Sequence, residues 1–225
     1  MTNTRHIIIV AGGSGKRMNS TTPKQFLKID DIPVIAITIN RLKSAVPDCR
    51  FTAVIAESDM AHWQNCRGYI SFFDSINTAL GGPERFHSVK SGLAFIKDNE
   101  IIAIHDAVRP LFSTSVLHQG FNVAEKSGSA IPVIPLNESI REINGALSKS
   151  VNRNNYRLCQ TPQFFQASIL LNAYRQSYTQ SFTDDASVVE AAGYSVRLIE
   201  GNPENIKITT PADLKYAAAM LLYIS

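Results

Sequence analysis

An α/β fold, built on a mostly parallel sheet with helices on both faces, is the architecture this sequence predicts. Three observations lead to it. Short, largely β-branched apolar runs alternate with segments whose apolar positions recur at helical spacing. Polar and glycine-rich clusters follow directly on several of the strand-like runs, where ligands gather in such sheets. The chain has 225 residues, 44% hydrophobic and 18% charged, enough for one domain with a sizeable core.

Taken in order, His6–Val10 is a continuous strand-like run that enters Ala11-Gly12-Gly13-Ser14-Gly15 at once. Ile35, Ile39, Leu42 and Val46 then mark one face of a helix. Phe51–Ala56 reads as a second buried strand and Asp59–Tyr69 as a helix. After the turn Gly81-Gly82-Pro83, the residues Phe86, Val89, Leu93 and Ile96 line another helix. Ile101–His105 is a third strand, running out into Asp106 and Arg109, and Ser129–Ile134 is a fourth. Helical stripes return at Leu170–Tyr174 and at Leu214, Ala218 and Leu221. The polar stretch Leu136–Arg153, with Gly145 inside it, is either a long surface loop or a hairpin that embraces a partner subunit. The expectation is one Rossmann-like domain over residues 1–225, with a projection at about 136–154.

Composition narrows the function classes. The net charge is +3, and Lys and Arg are dispersed rather than clustered, so neither nucleic acid nor a membrane surface is an expected partner. No apolar run approaches the ~20 residues of a membrane span, and the apolar part of MTNTRHIIIV is short for a signal peptide. Cys49, Cys66 and Cys159 are odd in number and lack C-x-x-C spacing, which disfavours a disulfide or zinc framework. A cytoplasmic enzyme or binding protein is the expectation.

The strongest local signal is Val10-Ala11-Gly12-Gly13-Ser14-Gly15-Lys16-Arg17-Met18. Glycines just after a strand let successive backbone N–H groups face one concavity, which suits phosphate oxygens. A P-loop is excluded because Arg17 follows Lys16, and a dinucleotide fingerprint because Met18 stands at its third glycine. A plain tight turn is the alternative. In Pro23-Lys24-Gln25-Phe26, Lys24 is placed to reach the same phosphates as Arg17, or else is merely solvated.

These pieces belong to an ordered series. It continues through Gly81-Gly82-x-x-Arg85-x-x-Ser88, His105-Asp106-Ala107-Val108-Arg109-Pro110, Thr161-Pro162-Gln163, Thr183-Asp184-Asp185-Ala186-Ser187 and Asn205-Ile206-Lys207-Ile208-Thr209. In that order the series resembles the 2-C-methyl-D-erythritol 4-phosphate cytidylyltransferases, over about Ile7 to Leu214. Ribitol 5-phosphate cytidylyltransferases share most of the pieces. The T-D-x-A-S-x-x-E pattern ending at Glu190 and the T-P-Q-x-F pattern ending at Phe165 match the former better.

The resemblance implies a nucleotidyltransferase-type fold, transfer of CMP from CTP to a sugar-alcohol phosphate, and Mg²⁺ bound mainly through the CTP phosphates. It implies that Ala11, Gly12, Gly13 and Gly15 hold phosphates, and that Arg17 and Lys24 stabilise charge at the α-phosphorus. Gly81, Gly82 and Ser88 match the cytosine pocket; Pro83 stands where some relatives carry aspartate. Asp106 and Arg109 match groups around the hydroxyls and the nucleotide, and Asp106 could instead assist Mg²⁺. Arg153, Thr161, Thr183 and Lys207 correspond to groups that hold the acceptor phosphate. In the family Arg153 comes from the other subunit of a homodimer on the arm, and Ser139 also reaches across, so the 136–154 segment is implied to be a dimerisation arm.

That chemistry accounts for the lack of any evident general base. A phosphate monoester, with a second pKa of about 6, is already anionic and needs orientation and charge neutralisation more than deprotonation. His87, His62, Trp63 and Cys66 read as packing or surface positions, His105 as an anchor for the turn before Asp106, and Phe164-Phe165 as core. A guanylyl- or uridylyltransferase of the same fold and a non-catalytic nucleotide-binding regulator are the competing expectations.

Overall fold

The computed structural model describes residues 4–12 and 22–224, and its elements run β1 Thr4–Val10, β2 Lys28–Ile29, β3 Ile32–Pro33, α1 Val34–Ala45 and β4 Arg50–Ile55. They continue α2 Met60–Asn65, β5 Asn77–Leu80, α3 Arg85–Gly92, β6 Glu100–Asp106, α4 Thr114–Ser127 and β7 Ser129–Pro135. The rest are β8 Arg141–Asn144, β9 Leu147–Ser150, β10 Arg157–Cys159, β11 Gln163–Gln166, α5 Ala167–Ala173, α6 Asp185–Ala191, β12 Leu198–Glu200 and α7 Pro211–Leu221.

An eight-stranded sheet in the order β10-β7-β11-β6-β1-β4-β5, with β12 added to β7, forms the centre. One half, β6-β1-β4-β5, is parallel throughout. The other half is mixed: β11 runs antiparallel to both β6 and β7, β10 antiparallel to β7, and β12 parallel to β7. β10 pairs with Val133–Pro135 and β11 with Ser129–Ala130, so Gln160, Thr161 and Pro162 fall between two stretches of ladder. The Thr161-Pro162 peptide is cis.

Both faces of the sheet are buried, as the continuous apolar strands predict. Ile7 and Ile9 join α1 and α4 residues such as Ile35, Ile39, Leu117 and Phe121 on one face. Ile8, Ile102 and Ile104 join Val89, Leu170 and Val189 on the other. Gly120 lets α4 sit on β11: a Cβ there would lie 2.1 Å from the Phe164 ring. The helix ends follow the local sequence. Thr210 and Asp213 form a capping box with Pro211 just inside α7, Asp184 and Ser187 form one on α6, and Gly128 closes α4 at φ +88°.

Two predicted helices are shorter than expected. Asp59–Tyr69 resolves into a 3₁₀ turn, α2 and a second 3₁₀ turn at Cys66–Tyr69 that contains Gly68. The Phe86–Ile96 stripe is helical only to Gly92 and continues as a 3₁₀ turn through Phe95. The 136–153 stretch is a hairpin rather than a coil. β8 and β9 pair only with each other among the described residues, around a turn in which Gly145 takes φ +58°. All their residues are exposed, including Ile143 and Leu147 at 68% and 76%.

Candidate functional site

Three strand ends converge at the carboxyl edge of the parallel half. Ala11 and Gly12 follow β1, Gly81 follows β5, and Asp106 closes β6. The Ala11 N–H donates to the Val54 carbonyl and the Gly81 N–H to the Ile55 carbonyl, which seats both turns on β4. Between them Ser88 of α3 accepts from the Gly82 N–H at 3.1 Å. Its Oγ would lie 2.9 Å from a Cβ at position 12, so only glycine allows this approach. A cavity of about 320 Å³ opens here, lined by Ala11, Gly12, Lys24, Ser88, Asp106 and Lys207 among others. Gln25, fully buried, donates to the Ala11 carbonyl at 2.8 Å and to Asp59 at 3.0 Å, which fixes the turn bearing Lys24 against the first loop. Gly13, Gly15 and Arg17 lie outside the described residues.

A second cavity, of about 270 Å³, lies on the mixed half and contains Arg109, Thr161, Thr183 and Lys207. Arg85, Asp106 and Lys207 line both cavities. Asp106 Oδ2 is 3.0 Å from Lys207 Nζ and 3.2 Å from Arg109 Nε, and Oδ1 is 3.8 Å from Arg85 Nε. Burial alone would raise the Asp106 pKa; Lys207, Arg85 and Arg109 together outweigh it and hold the carboxyl well below its ordinary range. It is a carboxylate throughout the neutral range.

His105 joins the two halves. Its Nε2 faces the Arg109 carbonyl at 3.0 Å and its Nδ1 faces the Thr161 hydroxyl at 3.0 Å. A carbonyl only accepts, so Nε2 carries the proton and Nδ1 accepts from Thr161. Burial pushes this imidazole down to about 4, consistent with the neutral form. The Thr161 oxygen in turn accepts the Asp106 N–H at 3.0 Å. The predicted anchoring of the turn by His105 is therefore present, and the Thr161 proton is committed to it.

The chain matches the family model "IspD: 2-C-methyl-D-erythritol 4-phosphate cytidylyltransferase" over residues 5–222. It belongs to that family. The cytidylyltransferase of Phocaeicola vulgatus bearing that name is 44% identical over 217 residues, covering 96% of this chain and 99% of the relative. That of Bacteroides fragilis is 45% identical over the same length and the same shares. A crystal structure of the Francisella tularensis enzyme superposes with a TM-score of 0.78 at 27% identity, over 95% of this chain and 98% of that one. The structure from Thermus thermophilus gives 0.75 at 26%, with 98% of each chain covered.

Not every residue expected from the resemblance to this cytidylyltransferase family is at the cavities. Thr183 is exposed on the second cavity, just before α6. Ser139 and Arg153 are exposed on the arm and its base, where Arg153 donates to the Asn137 carbonyl, and neither lines either of these two cavities. Several residues without a predicted role prove structural to the site. Gln163 donates to Asp184 at 2.7 Å and accepts the Ala186 N–H at 3.0 Å, pinning the start of α6 to β11. Asn205 donates to the Thr161 carbonyl at 2.8 Å, and its own carbonyl accepts from Arg109 at 2.7 Å. Both stood inside the series read from sequence, Gln163 after Thr161-Pro162 and Asn205 at the head of the Lys207 segment, but without a role, since a buried amide gives no periodic signal of its own. Among the described residues no three His, Cys, Asp or Glu side chains gather as a metal cage, and no helix is long and apolar enough to cross a membrane.

Proposed function

We propose that the protein transfers the CMP moiety of CTP to 2-C-methyl-D-erythritol 4-phosphate, giving 4-diphosphocytidyl-2-C-methyl-D-erythritol and releasing pyrophosphate. The observation that carries this reading is the Asp106 cluster, a carboxylate with Lys207, Arg109 and Arg85 around it on the wall between two cavities. The first cavity takes the nucleotide. Cytosine sits at the Gly81-Gly82 turn beside Ser88, and the triphosphate lies along Ala11, Gly12, Gly13 and Gly15. The second takes the acceptor, its phosphate held by Lys207, Thr183 and the segment around Thr161, with Arg109 beside it.

Bond formation is between an acceptor phosphate oxygen and the α-phosphorus, and the bond to the β-phosphate oxygen breaks in line with it. The attacking oxygen is already anionic, so no base has to take a proton. His105 is unsuited to that task in any case, because both ring nitrogens are engaged and it resists protonation to about pH 4. What the site has to overcome is repulsion between two anions. Lys24 in the first cavity and Lys207 at the shared wall offset it, with Arg17 the further cation that the family resemblance implies, and fixed orientation supplies much of the remaining acceleration.

Asp106, on the wall shared by the two cavities, fits Mg²⁺ held mainly by the nucleotide phosphates, since that ion commonly takes one or two protein carboxylates and keeps its waters. When bound, the metal neutralises phosphate charge. Arg153 and Ser139, absent from the lining of both cavities, fit a homodimer in which the arm completes the neighbour's acceptor site. An isolated two-strand hairpin is marginally stable in water, and a partner surface would cover Ile143 and Leu147. We place the enzyme in the cytoplasm, where its phosphorylated substrates would be.

The test is pyrophosphate release in a grid of CTP, UTP, GTP and ATP against methylerythritol phosphate and ribitol phosphate. One dominant response, CTP with methylerythritol phosphate, is expected. Dominance of any other combination overturns the substrate assignment, and no turnover in any combination overturns catalysis.

A further inference from the structure

Arg85 faces both cavities, yet its guanidinium points its donors at protein. Nη1 donates to Asp185 Oδ1 at 2.8 Å and Nη2 to Asp185 Oδ2 at 2.6 Å, the paired geometry that a guanidinium makes with a carboxylate. Nε looks toward Asp106 Oδ1 at 3.8 Å. A side chain placed to bind phosphate would have its fork free for the ligand; this one is occupied.

Its partner is fully buried. Asp185 is the first residue of α6, two residues after Thr183, and its Oδ1 also accepts the Tyr174 hydroxyl at 2.6 Å. Arg85 in turn is the first residue of α3, just after the turn assigned to the base. The next residue, Phe86, stacks on Tyr174 at 4.8 Å and on Phe182 at 5.5 Å. The 174–184 segment that delivers Thr183 is thus fastened to α3 at both of its ends.

Charge counting gives the pair a second consequence. The second cavity is lined by Arg85, Arg109 and Lys207 against Asp106 and Asp184, with Asp185 behind Arg85, so these charges balance only while Arg85 is in place. Without Arg85 one carboxylate is left in excess, and Asp106 competes harder with the incoming phosphate for Lys207.

We propose that Arg85, clamped by Asp185 and Tyr174, is a positioning residue for the acceptor phosphate: through Asp185 it sets the place of Thr183, and through Asp106 it keeps Lys207 available. The inference rests on the assignment of the second cavity to the acceptor. A lysine at position 85 would keep the charge and lose the fork, which separates geometry from electrostatics.

The experiment compares Arg85→Lys and Tyr174→Phe with the parent protein in steady-state kinetics and in amide hydrogen exchange. The expected result is a rise in KM for methylerythritol phosphate of about tenfold for Arg85→Lys and about threefold for Tyr174→Phe, as one buried hydrogen bond or a little more would give. KM for CTP should stay within twofold. Amides of residues 175–187 should exchange faster in both variants while those of α4 do not change. A merely structural loss would lower the fraction of active molecules, and with it kcat, leaving both KM values in place. Variants that fold with both KM values and the exchange of 175–187 unaltered overturn the clamp. If the parent protein itself shows no turnover, the substrate assignment falls, and the exchange comparison still decides whether Arg85 and Tyr174 hold the segment.

Discussion

The two sides of Asp106 are built differently. On the nucleotide side, the turns at Ala11-Gly12, at Gly81 and at Asp106 sit at the ends of parallel strands, the first two seated on β4, with glycine where the Ser88 hydroxyl of α3 would meet a side chain and with the turn bearing Lys24 packed against the first loop. On the acceptor side the contributors come from an interruption between β10 and β11, the approach to α6, and the segment before α7. They are held by side chains: Gln163, Asn205, Asp185 and His105. One wall is a property of the sheet. The other is an assembly of distant segments that depends on buried polar groups and, on our reading, on a second subunit.

The largest expected effect falls on the nucleotide side. Replacing Arg17 or Lys24 by alanine should lower kcat by about 10²–10³, the scale seen when a donor aimed at developing negative charge is removed. KM for CTP should change by no more than a few-fold, because the turns at Ala11 and Gly81 keep their seats on β4. Near-normal kcat in both variants would show that the difference between the two sides is not one of transition-state stabilisation.

A smaller effect tests the joint between them. His105 titrates near 6.5 in an unfolded chain and at about 4 in the folded protein. Between those values the unfolded state binds more protons, so stability falls as pH drops from 6.5 to 4 and is level above. At 1.36 kcal/mol per unit the full effect is on the order of 3 kcal/mol. His6, likewise buried and lowered by desolvation, acts in the same direction. The Asp106 carboxylate lies below its ordinary range and loses its contribution only at still lower pH. Melting curves across pH 4–7 should show His105→Gln flatter than the parent protein. An equal slope would mean that the ring is not held neutral between Thr161 and Arg109.

The same contrast decides what could be read from sequence. In the parallel half β1, β4 and β6 were legible because each is a largely apolar run, and functional turns adjoin two of them, at Val10-Ala11-Gly12 and His105-Asp106. β5 escaped notice: it has four residues, of which only Ala79 is buried, so no apolar run announces it. β10, β11 and β12 are three or four residues long and owe their existence to pairing with β6 and β7, far away in sequence. α4 carries an apolar face of Val116, Leu117, Phe121 and Ala124, but Gly120 interrupts it, and the reason for that glycine is the Phe164 ring on β11. Thr161, Thr183 and Lys207 came from resemblance alone. The groups that hold them in place, Gln163 and Asp185 among them, are ordinary polar residues until the fold buries them.

The smallest of these effects sharpens the contrast most. Arg153 is exposed, bonded to the Asn137 carbonyl at the base of the arm, and absent from both cavities of its own chain. If it serves the neighbouring acceptor site, Arg153→Ala should raise KM for the sugar phosphate by about tenfold, the usual scale for one charged contact of ~1.4 kcal/mol to a phosphate, and leave KM for CTP within twofold. Direction of delivery is then read by mixing. A subunit carrying Arg153→Ala and a subunit carrying Lys24→Ala combine into a heterodimer with two unlike sites. If the arm crosses over, one of those sites has an intact Lys24 and the other subunit's intact Arg153, and activity at sugar-phosphate concentrations well below KM rises above that of either homodimer. If each chain completes its own site, every site in the mixture carries one of the two defects, and mixing recovers nothing.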